Sequence, residues 1–276
     1  MGKKLKPLCK WSGGKRDEIE TFSKFYPKNF NRFIEPFVGG GAVFFDLNFD
    51  GPNVINDVHP ELINFYKQIK LGNAEKIFEI LKTFGSGEYD YYKVRGGGKK
   101  LPSDVEIFQP KNDIDEAARF LYLRKSCYRG MLRYNKNGKF NVPWGRYKSL
   151  NFNDIIDPEY TNLLSKTEIM EGDYKLVFEK YNQPDDFYFI DQPYDSTFND
   201  YGGDNFTKTD QIELFEKFRN TQSKCLMIVG GSDFIRELYG DYIKFEYPKQ
   251  YAFKIHSGRV GEEINVNHLV ITNYEI

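Results

Sequence analysis

Short apolar runs that each stop at a Gly, Asp or Pro turn and then give way to helical spacing recur along this chain. That alternation points to an α/β architecture. Residues 32–37 read as a strand running into Val38-Gly39-Gly40-Gly41, and residues 42–48 as the helix after it. A second strand spans 53–58, and the next helix begins at His59-Pro60 with proline in its first turn. Further buried strands are expected at 167–170, 187–190, 225–229 and 269–272. Helices are expected to open at Thr209-Asp210-Gln211 and at Asp233. Between these two sets lies a different region with helical stretches, a break at Gly96-Gly97-Gly98, and Asn137-Gly138 between Arg133-Tyr134 and residues 140–142. Asn-Gly in that setting signals a two-residue hairpin turn. The expected organisation is an α/β domain of residues 1–59 and 166–276, interrupted by a second module of residues 60–165.

Composition excludes more than it assigns. No apolar run approaches the roughly 18 residues of a spanning helix. The N-terminus is basic, yet no apolar stretch follows it, so an intracellular protein without a signal peptide is expected. Cys9, Cys127 and Cys225 are too far apart for a zinc pattern and odd in number for a disulfide framework. With three scattered histidines, no metal site is expected. The net charge is −1, but its distribution is uneven. Residues 119–148 contain nine basic side chains, no acid, and Tyr122, Tyr128, Tyr134, Trp144 and Tyr147 among them. A cationic, aromatic-rich stripe suits a polyanion with stackable bases; the alternative is a solvated charged face.

The strand at 187–190 runs directly into Asp191-Gln192-Pro193-Tyr194. An exocyclic amine on adenine is a poor nucleophile because its lone pair is delocalised into the ring. A carboxylate and a backbone carbonyl that accept its two hydrogens favour a tetrahedral nitrogen and free that lone pair for in-line attack on a sulfonium methyl. Asp191, the carbonyl of Gln192 and the ring of Tyr194 are the groups that would supply these parts, with Pro193 stiffening the turn; the alternative is an ordinary proline turn. Upstream, the glycine turn at 39–41 lets the backbone approach a ligand. Asp57, at the end of the next strand, stands where an acid binds the ribose hydroxyls of an adenosine-containing cofactor. Its alternative role is to cap the helix at His59-Pro60. Trp11-Ser12-Gly13-Gly14-Lys15 is not a P-loop: the upstream glycine is missing and Arg16 replaces the Ser/Thr.

Taken in order, these motifs resemble the Dam-type family of DNA adenine-N6 methyltransferases over nearly the full length. Residues 9–15 resemble its opening Lys-Trp-Ala/Ser-Gly-Gly-Lys, and residues 35–44 its cofactor motif. Residues 56–63 resemble the motif after that, and residues 128–135 with 138–147 its target-recognition hairpin. Gly172-Asp173-Tyr174, Asn205-Phe206-Thr207 and residues 269–274 match later segments. The resemblance implies a Rossmann-like S-adenosylmethionine-dependent methyltransferase domain with an inserted, mainly helical recognition domain carrying a β-hairpin. It further implies catalysis by Asp191, Gln192, Pro193 and Tyr194, with S-adenosylmethionine held by Trp11, Lys15, Phe37, Gly39, Gly41, Asp57, Asp173, Tyr174 and Asp191. Lys10, Tyr128, Arg129, Met131, Arg133, Asn135, Lys139, Pro143, Arg146 and Lys148 are then the residues facing DNA. Among them Lys10, Arg133, Met131 and Pro143 would face base edges, Tyr128 would act as the target base flips out, and Lys139 and Lys148 would meet phosphates. Double-stranded DNA is the expected partner, with no membrane, no metal and a monomeric protein.

Two positions depart from the family pattern. Gln192 stands where Asp-Pro-Pro-Tyr has its first proline, and Arg129 stands where many members have Asn, so GATC is a default site. The competing readings are methylation of cytosine N4 or of adenine in RNA, and a DNA-binding homologue weakened by Gln192. Cytosine C5 methylation lacks its Pro-Cys nucleophile, and zinc deamination lacks Pro-Cys-x-x-Cys.

Overall fold

The computed structural model describes residues 3–98, 101–102, 104–193, 206–251 and 264–276. Its strands are β1 (Arg32–Glu35), β2 (Asn53–Asp57), β3 (Thr167–Glu171), β4 (Asp186–Ile190), β5 (Lys224–Gly230), β6 (Ile243–Tyr251) and β7 (Ile264–Thr272). They form one sheet in the order β3-β2-β1-β4-β5-β7-β6. The first five are parallel, and β7 runs antiparallel to both β5 and β6. Parallel strands are covered on both faces, which explains their continuous apolar runs. Phe33, Ile55, Phe187, Phe189 and Leu226 face one core, while Ile34, Val54, Tyr188, Ile190 and Met227 face the other.

Helices α1 (Ile19–Phe22), α2 (Ala42–Leu47), α3 (Pro60–Lys70), α4 (Ala74–Thr83), α5 (Glu88–Arg95), α6 (Asp113–Ser126) and α7 (Pro158–Ser165) precede β3. Helices α8 (Tyr174–Lys180), α9 (Lys208–Asn220) and α10 (Asp233–Tyr239) follow it. Val177, Leu214, Phe218 and Ile235 place these last three on the second core. The chain between β2 and β3 is helical, and Leu62, Phe65, Ile77, Phe120 and Leu163 from it join the first core continuously with the sheet. Helix α3 packs against α6, α7 and β3.

Strand β6 was not expected. Its sequence alternates polar residues and contains Pro248, features that argue against a buried strand. As the outer strand of the sheet it tolerates both. Strand β7 begins earlier than 269, because its polar first half pairs with β6.

The hairpin also differs in detail. Tyr134 and Phe140 pair antiparallel, but the loop between Asn135 and Lys139 has three residues, not two. The Asn135 N–H donates to Lys139 C=O at 2.9 Å and the Gly138 N–H to Asn135 C=O at 2.9 Å. A two-residue type I′ turn needs positive φ at both central residues. Gly138 has φ +68, whereas Asn137 is not in that region. Asn135 Oδ1 accepts the N–H of Asn137 and of Lys139, and so fixes the wider loop.

Candidate active site

Strand order reverses between β1 and β4, so the loops at their carboxyl ends diverge and leave a crevice. A cavity of about 1210 Å3 opens there. That exceeds the roughly 300–1,000 Å3 of a small-molecule pocket, leaving room for part of a second substrate. It takes in Phe37, Asp57 and Asp173 from the strand ends, Asp191 after β4, Lys10 and Lys15 from the N-terminal segment, and Arg129 and Tyr147 from the basic segment.

Asp191 follows β4 directly. Lys15 Nζ lies 2.7 Å from Asp191 Oδ1 and also donates to Gly13 C=O at 2.8 Å. The lysine side chain is 2% exposed and the aspartate 19%. Burial pushes the Asp191 carboxyl above its ordinary range, and Lys15 opposes that shift. Buried Glu35, at the end of β1, accepts the Phe44 N–H at 3.1 Å. Burial, with Asp191 adding to it, pushes Glu35 well above the carboxylate range, which limits the negative charge crowded against Asp191. On the far side of Lys15, Glu18 accepts from His268 Nδ1 at 2.6 Å and Tyr247 OH at 2.7 Å. Burial raises Glu18, but hydrogen bonds from His268 and Lys249 outweigh it and hold the carboxyl at about 2.

Asp57 ties together the loops after β1 and β2. Its Oδ2 accepts the Gly39 N–H at 2.9 Å and its Oδ1 the His59 N–H at 3.0 Å. The cap of α3 is instead His59 Nδ1, which accepts the Leu62 N–H, so the capping alternative for Asp57 falls away. Burial pushes Asp57 up to about 6 against these backbone donors. Gly39 has φ +46, and a Cβ there would sit 2.6 Å from the Trp11 indole. This glycine therefore makes room for Trp11. Gly41, at φ +68, would strike the Phe45 ring at 2.9 Å.

The Phe37 ring packs at 5.0 Å from Tyr174 and 5.8 Å from Phe206. Asp173 caps α8 through the Lys175 N–H and is exposed. Tyr174 OH donates to Asp210 C=O. Val58 is 71% exposed beside Asp57, an apolar side chain on the cavity wall that sequence reasoning did not single out.

Gln192 lines the cavity, with its side-chain amide buried against Gln211 and Met227. Its side chain is 1% exposed and lies between β5 and α9. Tyr194 lies outside the described residues, as does Asn205 of the Asn-Phe-Thr segment.

The basic segment divides in two. Lys10, Arg129, Met131, Asn135, Lys139, Pro143, Arg146 and Lys148 are exposed, with Tyr128 and Arg133 half-buried. Arg133 donates from Nε to Asn141 Oδ1 at 2.7 Å and from Nη2 to Asn141 C=O at 3.2 Å, which holds one edge of its guanidinium. Lys10 Nζ sits 3.6 Å from the Tyr147 ring centre. Arg124, however, is buried. It donates to Lys10 C=O from Nε at 3.1 Å and Nη2 at 2.7 Å, and from Nη1 to Met131 C=O at 2.7 Å. Its guanidinium also covers the Trp11 ring at 4.8 Å. Arg119 turns inward too, donating to Val94 and Arg95 carbonyls. These two arginines therefore do not belong to an exposed stripe.

A second link runs from the hairpin to the Asp57 loop. Because His59 Nδ1 accepts from Leu62, Nε2 carries the proton and donates to Tyr134 Oη at 2.9 Å. Tyr134 in turn donates to Glu61. Burial pushes His59 down to about 4, so the ring is neutral near pH 7. Among the described residues no cluster of His, Cys, Asp and Glu could hold a metal, and no helix is long and apolar enough to cross a membrane.

The mixed sheet, with its crevice at the β1/β4 reversal and a carboxylate directly after β4, is that of an α/β protein with a ligand site at the strand ends. Residues 11–257 match the family described as D12 class N6 adenine-specific DNA methyltransferase, and the chain belongs to that family. It is 49% identical to the type II methyltransferase M.CviBI of Paramecium bursaria Chlorella virus NC1A, over 98% of this chain and 100% of the relative. It is 32% identical to the type II methyltransferase M1.LlaDCHI of Lactococcus lactis subsp. cremoris, over 98% of this chain and 96% of that one. With the DNA adenine methylase of Haemophilus influenzae it shares 29% identity, over 86% of this chain and 83% of the relative.

Proposed function

We propose that the chain transfers a methyl group from S-adenosylmethionine to N6 of adenine in a short duplex site, GATC by default, with the target base turned out of the helix. The observation that supports this most is the continuous cavity joining Asp57 and Phe37 to Asp191 and on to exposed Arg129 and Lys10. The donor set fits an adenosine-bearing sulfonium: a carboxylate for ribose at Asp57, apolar Val58 and Phe37 for the base and the cation, and Asp173 for the adenine amine. When bound, the cofactor supplies the electrophilic methyl. Asp191 accepts a hydrogen from the adenine amine, the Gln192 carbonyl accepts the other, and Lys15 keeps Asp191 in its accepting, ionised form. Tyr194 stacks on the base. Residues 60–165 together with Lys10 read the DNA, with Lys10, Arg133, Met131 and Pro143 toward base edges and Tyr128 at the vacated position. Lys139 and Lys148 meet phosphates, Arg129 bears on which base pairs are read, Asn135 and Arg146 also face the DNA, no metal takes part, and a monomer suffices. Sequencing the methylated positions in DNA exposed to the purified enzyme tests this reading: adenines within one short motif support it, and scattered or cytosine-borne marks contradict it.

Two expected results follow for binding. Ribose hydroxyls donate to the ionised Asp57, so cofactor binding draws its carboxyl down from about 6. Affinity therefore falls as pH drops through about 6, and binding near that pH releases a proton. Calorimetry in buffers of different ionisation enthalpy reads this directly, and a pH-independent affinity excludes the ribose role. For DNA, Arg133→Ala should lose ~1–3 kcal/mol and relax base preference at one position. Lys139→Ala should weaken all sequences alike and reduce the salt slope by about one. Measuring both variants across salt and across site variants separates the roles, and exchanged behaviour would refute the assignment.

A further inference from the structure

Gln211, in α9, is fully buried beside the turn that follows β4. Its Nε2 donates to Pro193 C=O at 3.1 Å. The Pro193 carbonyl can only accept, which fixes the orientation of the Gln211 amide and points its Oε1 at Gln192. Gln192 must then present its own nitrogen, and Gln192 Nε2 lies 3.3 Å from Gln211 Oε1 and 3.3 Å from Met227 Sδ. Two amides thus form a one-directional relay from residue 192, through α9, back to the carbonyl of residue 193.

We propose that Gln211 is a positioning residue for the catalytic turn, and that its relay with Gln192 holds Asp191-Gln192-Pro193 in register where no proline at 192 does so. This rests on the reading of that turn as the site of methyl transfer. A proline at 192 would fix one backbone dihedral by its ring. Gln192 has no ring, so its peptide needs another restraint, and the relay supplies it from the side chain. The arrangement is not explained by stability alone. Among the described residues Gln192 Oε1 is buried without a partner, a destabilising feature that an apolar side chain of similar length would avoid. A role confined to packing therefore predicts that Gln192→Met is neutral or stabilising and that Gln211→Met lowers stability without slowing transfer by the folded enzyme; a positioning role predicts slower transfer.

The test compares Gln211→Met in the wild-type and Gln192→Pro backgrounds by single-turnover methylation, with DNA affinity and thermal unfolding alongside. In the wild-type background the transfer rate should fall on the order of tenfold, with KM for DNA little changed. In the Gln192→Pro background the same substitution should cost less than about threefold, because the ring has replaced the restraint. An equal loss in both backgrounds, or none in the first, overturns the proposal. Gln211→Leu, which keeps much of the bulk and removes both polar atoms, serves if the Met variant does not fold. Should the wild type transfer no methyl group at all, the proposed function fails, and the relay is read separately. An unfolding double-mutant cycle of Gln192→Met and Gln211→Met then decides it: non-additive effects support the contact and additive effects overturn it.

Discussion

Asp191→Asn is expected to reduce methyl transfer by about 10^3-fold or more, comparable to or beyond the loss of one preorganised group in other active sites. Asparagine keeps the shape but presents one acceptor oxygen and no charge to the developing positive nitrogen. It also leaves the buried Lys15 ammonium, 2.7 Å away in the wild type, facing a neutral amide. Stability should therefore fall by about 3 kcal/mol, the usual consequence of breaking a buried ion pair from one side. Combining it with Lys15→Met removes the lysine charge as well, so the double variant should regain stability without regaining activity. Parallel unfolding and methylation assays separate the two effects. Activity returning with stability would mean that Asp191 acts only as a counter-ion for Lys15.

Arg124→Met is expected to give the second large effect, although Arg124 lies outside the proposed list of contacts. Its guanidinium satisfies the carbonyls of Lys10 and Met131 and covers Trp11, so one buried side chain holds the N-terminal segment against the hairpin. Removing it leaves those carbonyls without charged donors, for a loss of about 3 kcal/mol and a fall in Tm of roughly 5–10 °C. DNA and cofactor affinity should weaken together, because Lys10 and Met131 face one proposed substrate and Trp11 the other. If the variant unfolds like the wild type and loses DNA affinity alone, Arg124 acts as a surface contact and the clamp is wrong.

The parallel strands were legible because β1, β2, β4 and β5 are buried on both faces and write their apolar runs into the sequence. Strand β6 was not, since an outer strand carries polar residues and Pro248 without penalty. Asn137-Gly138 marked the hairpin turn correctly, but Asn135 Oδ1 selected the longer loop through local bonds that a dipeptide signal does not encode. Around the candidate site, Asp57 and Asp191 were singled out by motif and spacing and Lys15 by the family resemblance, and the three line one cavity. The inward turn of Arg124 and Arg119 was not, because the residues that satisfy them are backbone carbonyls, whose spatial positions sequence does not reveal. His59, Tyr134 and Glu61 gave no signal of their hydrogen-bonded chain either, because its side chains come together across more than 70 positions. Gln192 was visible as a departure, yet its partner Gln211 became apparent only once α9 lay against the turn.

The most direct test of the central claim is nucleoside analysis of duplex DNA after incubation with the purified enzyme and methyl-labelled S-adenosylmethionine. The account predicts label in N6-methyladenine, lost with Asp191→Ala. Label in methylcytosine, or incorporation equal to that of the Asp191→Ala control, would contradict it.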